Sequence, residues 1–222
     1  RSSSPKYLQN KFNHKTKMKR LSYILFMIVA VFSAQAAGNA DTVINKVVNT
    51  YRAAKGISAD YIITTDQGQT SGNIAMKGEK FRMLSADLKC WYNGTLQWSY
   101  TPVTEEVNIT QPTAEELQMV NPYSIISSFR QSFRTQLLKS ATASNHEVQM
   151  LPKNGKATDI KSVRLTINKT TNLPVKIIFE LKDMSSVIVT LSHYKTGQNF
   201  SDNTFVFNKT MVPAGTPVVD LR

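Results

Sequence analysis

The stretch Trp91-Tyr92-Asn93-Gly94-Thr95-Leu96-Gln97-Trp98-Ser99-Tyr100-Thr101-Pro102 decides how this 222-residue chain folds. Asn93-Gly94 lies between two strand-like runs, and both residue types tolerate the left-handed backbone that a two-residue type I′ hairpin turn requires. Such a turn pairs Tyr92 with Thr95 and Trp91 with Leu96. Period-two alternation then adds Trp98 and Tyr100 to the surface shared by Trp91 and Leu96. Cys90, Tyr92, Gln97 and Ser99 take the opposite surface, which is expected to put the thiol on or near the outside of the sheet.

Outward from this hairpin the same period recurs. Tyr61, Ile63 and Thr65, then Ile74 and Met76, then Phe81 and Met83 occupy one side of successive strands, with Lys80 and Arg82 on the other. Further strands are expected near Glu106–Ile109, Glu147–Leu151, Val163–Ile167, Val175–Leu181, Val187–Tyr194 and Phe205–Phe207. Alternation is plainest where Val175, Ile177, Phe179 and Leu181 are set against Lys176, Glu180 and Lys182. Two segments break the pattern. Asp41 is positioned to cap a helix running to about Lys55, with Val43, Ile44, Val47, Val48 and Tyr51 on one stripe and Gly56 as its stop. Pro112–Leu138 reads as two short helices interrupted at Asn121-Pro122, with Leu117, Val120, Ile125, Ile126 and Phe129 on their apolar sides.

The formal charge of +12 is concentrated at one end: residues 1–20 hold seven basic groups and no acid. Met18, Lys19 and Arg20 precede the apolar run Leu21–Phe32, which is followed by Ser33-Ala34-Gln35-Ala36-Ala37. This is the three-part layout of a secretory signal peptide cleaved after Ala36. The run falls short of the roughly 20 residues that a membrane-spanning helix needs. Residues 1–17 therefore read as a disordered upstream extension, 18–36 as a signal peptide, and 37–222 as a single domain exported to the periplasm. Taking the leader's seven basic groups from 27 leaves 20 against 15 acids, a net charge of about +5 that removes the main argument for nucleic acid as a partner. With Cys90 as the only cysteine, an internal disulfide and a multi-cysteine metal site are excluded. Its distance from the cleavage site also excludes acylation of an N-terminal cysteine.

A long antiparallel sheet with one apolar face must hide that face, by closing into a barrel or by laying helices over it. The expected architecture is α+β and mainly antiparallel β: an unclosed half-barrel of about eleven strands with a helical lid over an apolar cavity. Ile74, Met76, Phe81, Met83, Trp91, Leu96, Trp98, Tyr100 and Phe179 are the candidate lining, and Val43, Val47, Leu117, Ile125, Ile126 and Phe129 the candidate lid contacts. Such a cavity suits acyl chains, which gain about 0.8 kcal/mol per buried methylene. The same periodicity also describes a dry core in which these side chains simply pack against the helices.

Enzyme chemistry finds little support. The sequence has no GxSxG elbow, no HExxH and no phosphate-binding glycine loop. After the leader the histidines are His146, in an expected loop, and His193, expected on the apolar side of its strand as a hydrogen-bonded structural residue. Glu105-Glu106 and Glu115-Glu116 are adjacent pairs that point apart on a strand or a helix, so they read as solvated charges. The chain is read as a non-enzyme with no catalytic residue, metal or cofactor.

Gly72–Met83 (GNIAMKGEKFRM), Trp91–Pro102, Glu106-Val107, the NPYSII segment from Asn121, and the ending FVFN…PAGTPVVDLR from Phe205 together resemble the LolA family of periplasmic lipoprotein carriers. The resemblance rests on order and spacing and spans nearly all of the chain after the leader. It implies an unclosed eleven-stranded barrel with a helical lid, acting as a monomer without covalent chemistry. Such a protein takes the acyl chains of a lipoprotein from an inner-membrane lipoprotein-releasing transporter and passes them to an outer-membrane acceptor. The alternative on the same scaffold is a periplasmic lipid or lipoprotein sensor. The family's Arg-Pro pair, whose arginine latches the lid, is replaced here by Gly78-Glu79 ahead of the strand that begins at Lys80. Alternation puts Lys77, Lys80 and Arg82 on the side opposite Met76, Phe81 and Met83, so the latch is not carried over.

Overall fold

The computed structural model describes residues 40–222 apart from 115, 118–121 and 154–158. The expected leader, with its extension and cleavage site, and the expected break at Asn121 lie outside the described residues.

At the Asn93-Gly94 turn only Gly94 is left-handed (φ +100°), whereas a type I′ turn needs both residues so. The Asn93 side-chain oxygen instead accepts from the amides of Thr95 and Leu96 at 2.9 and 2.8 Å, and the Asn93 amide donates to the Leu96 carbonyl at 3.1 Å. This self-capping by asparagine makes a four-residue connection. Tyr92 pairs with Gln97 and Trp91 with Trp98, which corrects the expected pairings of Tyr92 with Thr95 and Trp91 with Leu96. The shift is by two residues, so Trp91, Trp98 and Tyr100 still share one surface.

Twelve strands follow from the alternating segments: β1 (Ile57–Thr65), β2 (Gly68–Lys77), β3 (Lys80–Ser85), β4 (Lys89–Tyr92), β5 (Gln97–Thr101), β6 (Glu106–Thr110), β7 (Phe133–Leu138), β8 (Asn145–Pro152), β9 (Ile160–Asn168), β10 (Pro174–Leu181), β11 (Ser186–Thr196) and β12 (Val218–Asp220). They form one sheet in the order β12-β6-β5-β4-β3-β2-β1-β11-β10-β9-β8-β7. Its outer strands, β12 and β7, do not pair, so the sheet is unclosed. Every neighbour is antiparallel except β12, which runs parallel to β6. Among the described residues, helix is found as α1 over residues 40–53, at residues 114, 116 and 117, and as α2 (Pro122–Ser127) and α3 (Phe129–Ser132).

Three expectations change. Phe133–Leu138, expected as helix, is β7, paired with β8 from Phe133↔Pro152 to Leu138↔Glu147. Its Arg, Gln and Leu residues favour a helix locally, and strand pairing overrides that weak preference. Phe205–Phe207 is not a strand, because Asp202–Phe205 forms a 3-10 turn. β12, three residues long, is too short to show a period. Asp41 is also not a helix cap. Ala40 is already helical, and Asp41 accepts a hydrogen bond from the Thr135 hydroxyl, tying α1 to β7.

α1 ends in an unusual way. Lys55 rather than Gly56 takes the left-handed conformation (φ +57°). Gly56 is required for a different reason: a Cβ there would lie 2.3 Å from the Gln198 carbonyl oxygen and 2.9 Å from the Phe200 ring. The Gln198 amide donates to the Gly56 carbonyl at 3.0 Å and the Gly197 amide to that of Ala54 at 3.0 Å. The end of the helix is thus fastened to the chain leaving β11. Gly56→Ala should cost about 2–4 kcal/mol by this collision, read as a lower urea midpoint with an unchanged slope.

The sheet is covered on both sides. On one, α1, α2 and α3 contribute Val43, Ile44, Val47, Val48, Tyr123, Ile126 and Phe129 to a single buried cluster with the strands. On the other, the chain after β11 crosses β2–β4. Phe207 meets Trp91 edge-on with ring centroids 5.5 Å apart, Lys77 and Lys80 each approach Asp202 at 3.1 Å, and the Lys89 ammonium donates to the Met211 carbonyl at 2.6 Å.

Candidate functional site

Register decides which side chains meet. Directly opposed residues share a face, so Ile57, Met76, Phe81 and Tyr92 form one row across β1–β4, and Ala59, Ile74, Met83 and Cys90 the next. Beyond β1 the rows continue as Ile63, Val189, Ile177, Leu165 and Val148, and as Phe179, Val163 and Met150. All of these but Ile63 are buried, and Ile63 packs against the same cluster. This apolar face runs from β4 to β8 and lies beneath the helices.

The expected lining divides. Ile74, Met76, Phe81, Met83 and Phe179 come together on the helix-covered face. Trp91, Trp98 and Tyr100 do not: Trp91 is directly opposite Arg82, on the other surface, and pairs with Trp98, while Tyr100 pairs with Lys89. Leu96 belongs to the turn. The reason is the second cover. β4 is buried on both sides, and the tryptophans belong to the side closed by Phe207, where hydrophobicity alone would not separate them from the first.

Cys90 is correspondingly inside, 1% exposed and in the helix-covered cluster, where burial pushes its thiol up to about 12. The expectation of an outer thiol fails with the face assignment. Of the candidate lid residues, Val43, Val47, Ile126 and Phe129 are buried in the cluster and Leu117 packs against it; the Ile125 side chain lies outside the described residues.

The histidines also move. His146 belongs to β8, and its pKa is lowered by burial and then by Lys169 and Lys46. His193 is 78% exposed at its side chain, not on an apolar side, and sits left-handed at φ +49° in the bulge between β1 and β11. Its Nδ1 meets Asp60 at 2.9 Å and Ser192 Oγ at 3.3 Å. A nucleophilic relay needs acid and hydroxyl on opposite ring nitrogens, so this trio is a surface hydrogen-bond cluster.

The helix-covered face opens at the C-terminal end of α1. A cleft of about 170 Å³ lies there, lined by Tyr51, Arg52, Lys55, Gly56, Ile57, Met76, Gly78 and Tyr123. Ile57 and Met76 are the start of the first cross-strand row, so the cleft opens onto the buried face. The Tyr51 and Tyr123 rings meet at a 36° tilt with centroids 5.1 Å apart. Burial pushes the Tyr51 phenol up to about 12, partly offset by the neighbouring Tyr194 hydroxyl. Tyr194 gives its own proton to the Pro174 carbonyl at 2.7 Å, and Tyr51 makes no hydrogen bond of good geometry. Sequence reading had Tyr51 only as part of the helix stripe; Tyr123 and the cations Arg52 and Lys55 carried no periodic signal.

Cys90 should resist aqueous thiol reagents in the native protein and yield one equivalent after unfolding in denaturant. Rapid native labelling would show that the helix-covered face opens readily.

Among relatives, an uncharacterised protein of Methanocaldococcus jannaschii is 26% identical over 198 residues, covering 85% of this chain; the chain spans 58% of that protein's length. Among solved structures, an uncharacterised conserved protein from Thermus thermophilus superposes with a TM-score of 0.56 at 11% identity, covering 82% of this chain and 99% of the other. A DUF1329 family protein from Desulfovibrio piger gives 0.50 at 11% identity, covering 80% and 99%. These two likenesses concern the fold alone. The family described as outer membrane lipoprotein carrier protein LolA matches residues 29–182, and with the twelve-stranded unclosed sheet described above, this chain belongs to the LolA-like family.

Proposed function

We propose that this protein is exported to the periplasm, where it binds acyl chains against the helix-covered face and carries acylated lipoproteins from an inner-membrane releasing transporter toward an outer-membrane acceptor. The observation that carries this reading is a continuous apolar face that runs from β4 to β8 of an unclosed sheet and is covered by short helices. Membership of a family of binding and carrier proteins supports it.

In the described conformation that face is packed by the protein's own side chains, so loading must exchange helix contacts for ligand contacts. The exchange is of the right size. Val43, Ile44, Val47, Val48, Ile126 and Phe129 are the buried apolar side chains that α1–α3 themselves contribute, and burying six such side chains is worth about 9–18 kcal/mol. Two acyl chains of about fourteen methylenes each offer roughly 22 kcal/mol at 0.8 kcal/mol per methylene, both figures being upper bounds. A cover held mainly by non-directional packing can be displaced by hydrocarbon without a covalent step. The polar fastening of α1 to the strands includes the Thr135–Asp41 hydrogen bond, and a ligand that fills the face leaves near-balanced states between which cargo is gained and released.

Native mass spectrometry with a diacylated lipopeptide should show one bound ligand per protein. Met76→Trp, which fills the cleft and lies beside Phe81, should weaken uptake about tenfold, roughly 1.4 kcal/mol. Emission from Trp91 and Trp98 should stay constant on loading, because both stand on the other surface. A folded protein that takes up no lipopeptide, fatty acid or monoglyceride would refute the carrier reading.

A further inference from the structure

Arg52 and Lys55 line the same cleft as Tyr51, Ile57, Met76 and Tyr123. Both are exposed, and among the described residues neither pairs with a carboxylate. Among the described residues no acid lines the cleft. Glu79, beside the lining Gly78, is the nearest in sequence, and its charge acts on Tyr92. Two cations thus line a slot of mixed polar and apolar character that reaches Ile57 and Met76 of the first row of the buried face.

A simpler role for them would be to complement the C-terminal end of the α1 dipole. Lys55 argues for more. Its φ of +57° is a conformation that glycine or asparagine adopts at little cost and a long side chain does not. The backbone cannot relax away from it, because Ala54 and Gly56 on either side are bonded to Gly197 and Gln198. A lysine is therefore held at a strained backbone position in the lining of the slot. The volume fits a headgroup rather than a whole ligand: 170 Å³ equals about six waters at roughly 30 Å³ each. It also falls below the roughly 300 Å³ at which small-molecule pockets begin.

We infer that the cleft at the end of α1 is an anion-headgroup site, in which Arg52 and Lys55 bind the carboxylate or phosphate of an acidic amphiphile while its tail enters past Tyr51, Tyr123 and Met76. This inference rests on the reading of the helix-covered face as a hydrocarbon site. Its content is a headgroup preference which that reading does not supply.

The test compares three amphiphiles with one oleoyl tail each: oleate, oleoyl lysophosphatidylglycerol and neutral monoolein, titrated into the full chain at low and high salt. One or both anionic ligands should bind about tenfold tighter than monoolein at low salt, with the advantage shrinking as salt screens the exposed cations. Tighter oleate assigns a carboxylate and tighter lysophosphatidylglycerol a phosphate. Arg52→Gln combined with Lys55→Gln should abolish the preference, bringing the anionic ligands to the affinity of monoolein measured in the same variant. Lys55→Gly alone should raise Tm, by relieving the backbone, and still reduce the preference. Equal affinity for all three ligands, or a preference that survives in the double variant, overturns the headgroup site and leaves the apolar site standing. Uptake of none of the three overturns the headgroup site, and the carrier reading falls with it if the diacylated lipopeptide is also not taken up.

Discussion

Everything in this fold follows from β4 being buried on two sides. Cys90 and Tyr92 face the helices and Trp91 faces the segment after β11, and all three are below 7% exposure. A sheet that is apolar on both surfaces cannot be stable with one cover. The helices supply the first cover. The second is the chain from Phe200 to Met211, fastened by Lys77, Lys80 and Lys89 and filled by Phe205 and Phe207. The two covers differ in kind. The helical one contacts a broad face mainly by side-chain packing, whereas the second combines aromatic contacts with ammonium-to-carbonyl and ammonium-to-carboxylate bonds. If one cover yields to a ligand, the physical chemistry favours the first, since hydrocarbon can replace hydrocarbon but cannot replace those directional bonds.

The same division decides where the cations of β2 and β3 stand. Lys77, Lys80 and Arg82 stand on the surface away from the helices, as alternation from Phe81 and Met83 required. Two of them hold Asp202 and so belong to the outer cover. The polar fastening seen for α1 lies elsewhere: Asp41 with Thr135 at its beginning, and the backbone bonds of Ala54 and Gly56 at its end.

Much of the sheet was legible because alternation is a local signal. Ile74, Met76, Phe81, Met83 and Phe179 fell on one face as read, and so did the stripe Val43, Ile44, Val47 and Val48. What failed was non-local. β7 carries helix-favouring residues and is a strand because β8 lies beside it; β12 is defined only by β6. The tryptophan face was misassigned because a strand pattern gives two surfaces without saying which is inner, and a second apolar cover removes the polar contrast that normally decides. The cleft was invisible for another reason: Tyr51 and Tyr123 are 72 positions apart in the sequence, and Lys55 draws attention only through a backbone angle.

The parallel pairing of β12 has a kinetic consequence. Val218–Asp220 lies along Val107–Ile109, across more than a hundred intervening residues, and the central β1–β11 pairing joins Ile57 to Thr196. Closing loops of that length is entropically slow. A chain emerging from its N-terminal side can zip β1 through β6 as local hairpins, yet the rim at β6 stays open until residue 220 is available. During that interval a bare strand edge and one side of Trp91 are exposed to water, which makes the incompletely folded chain prone to self-association.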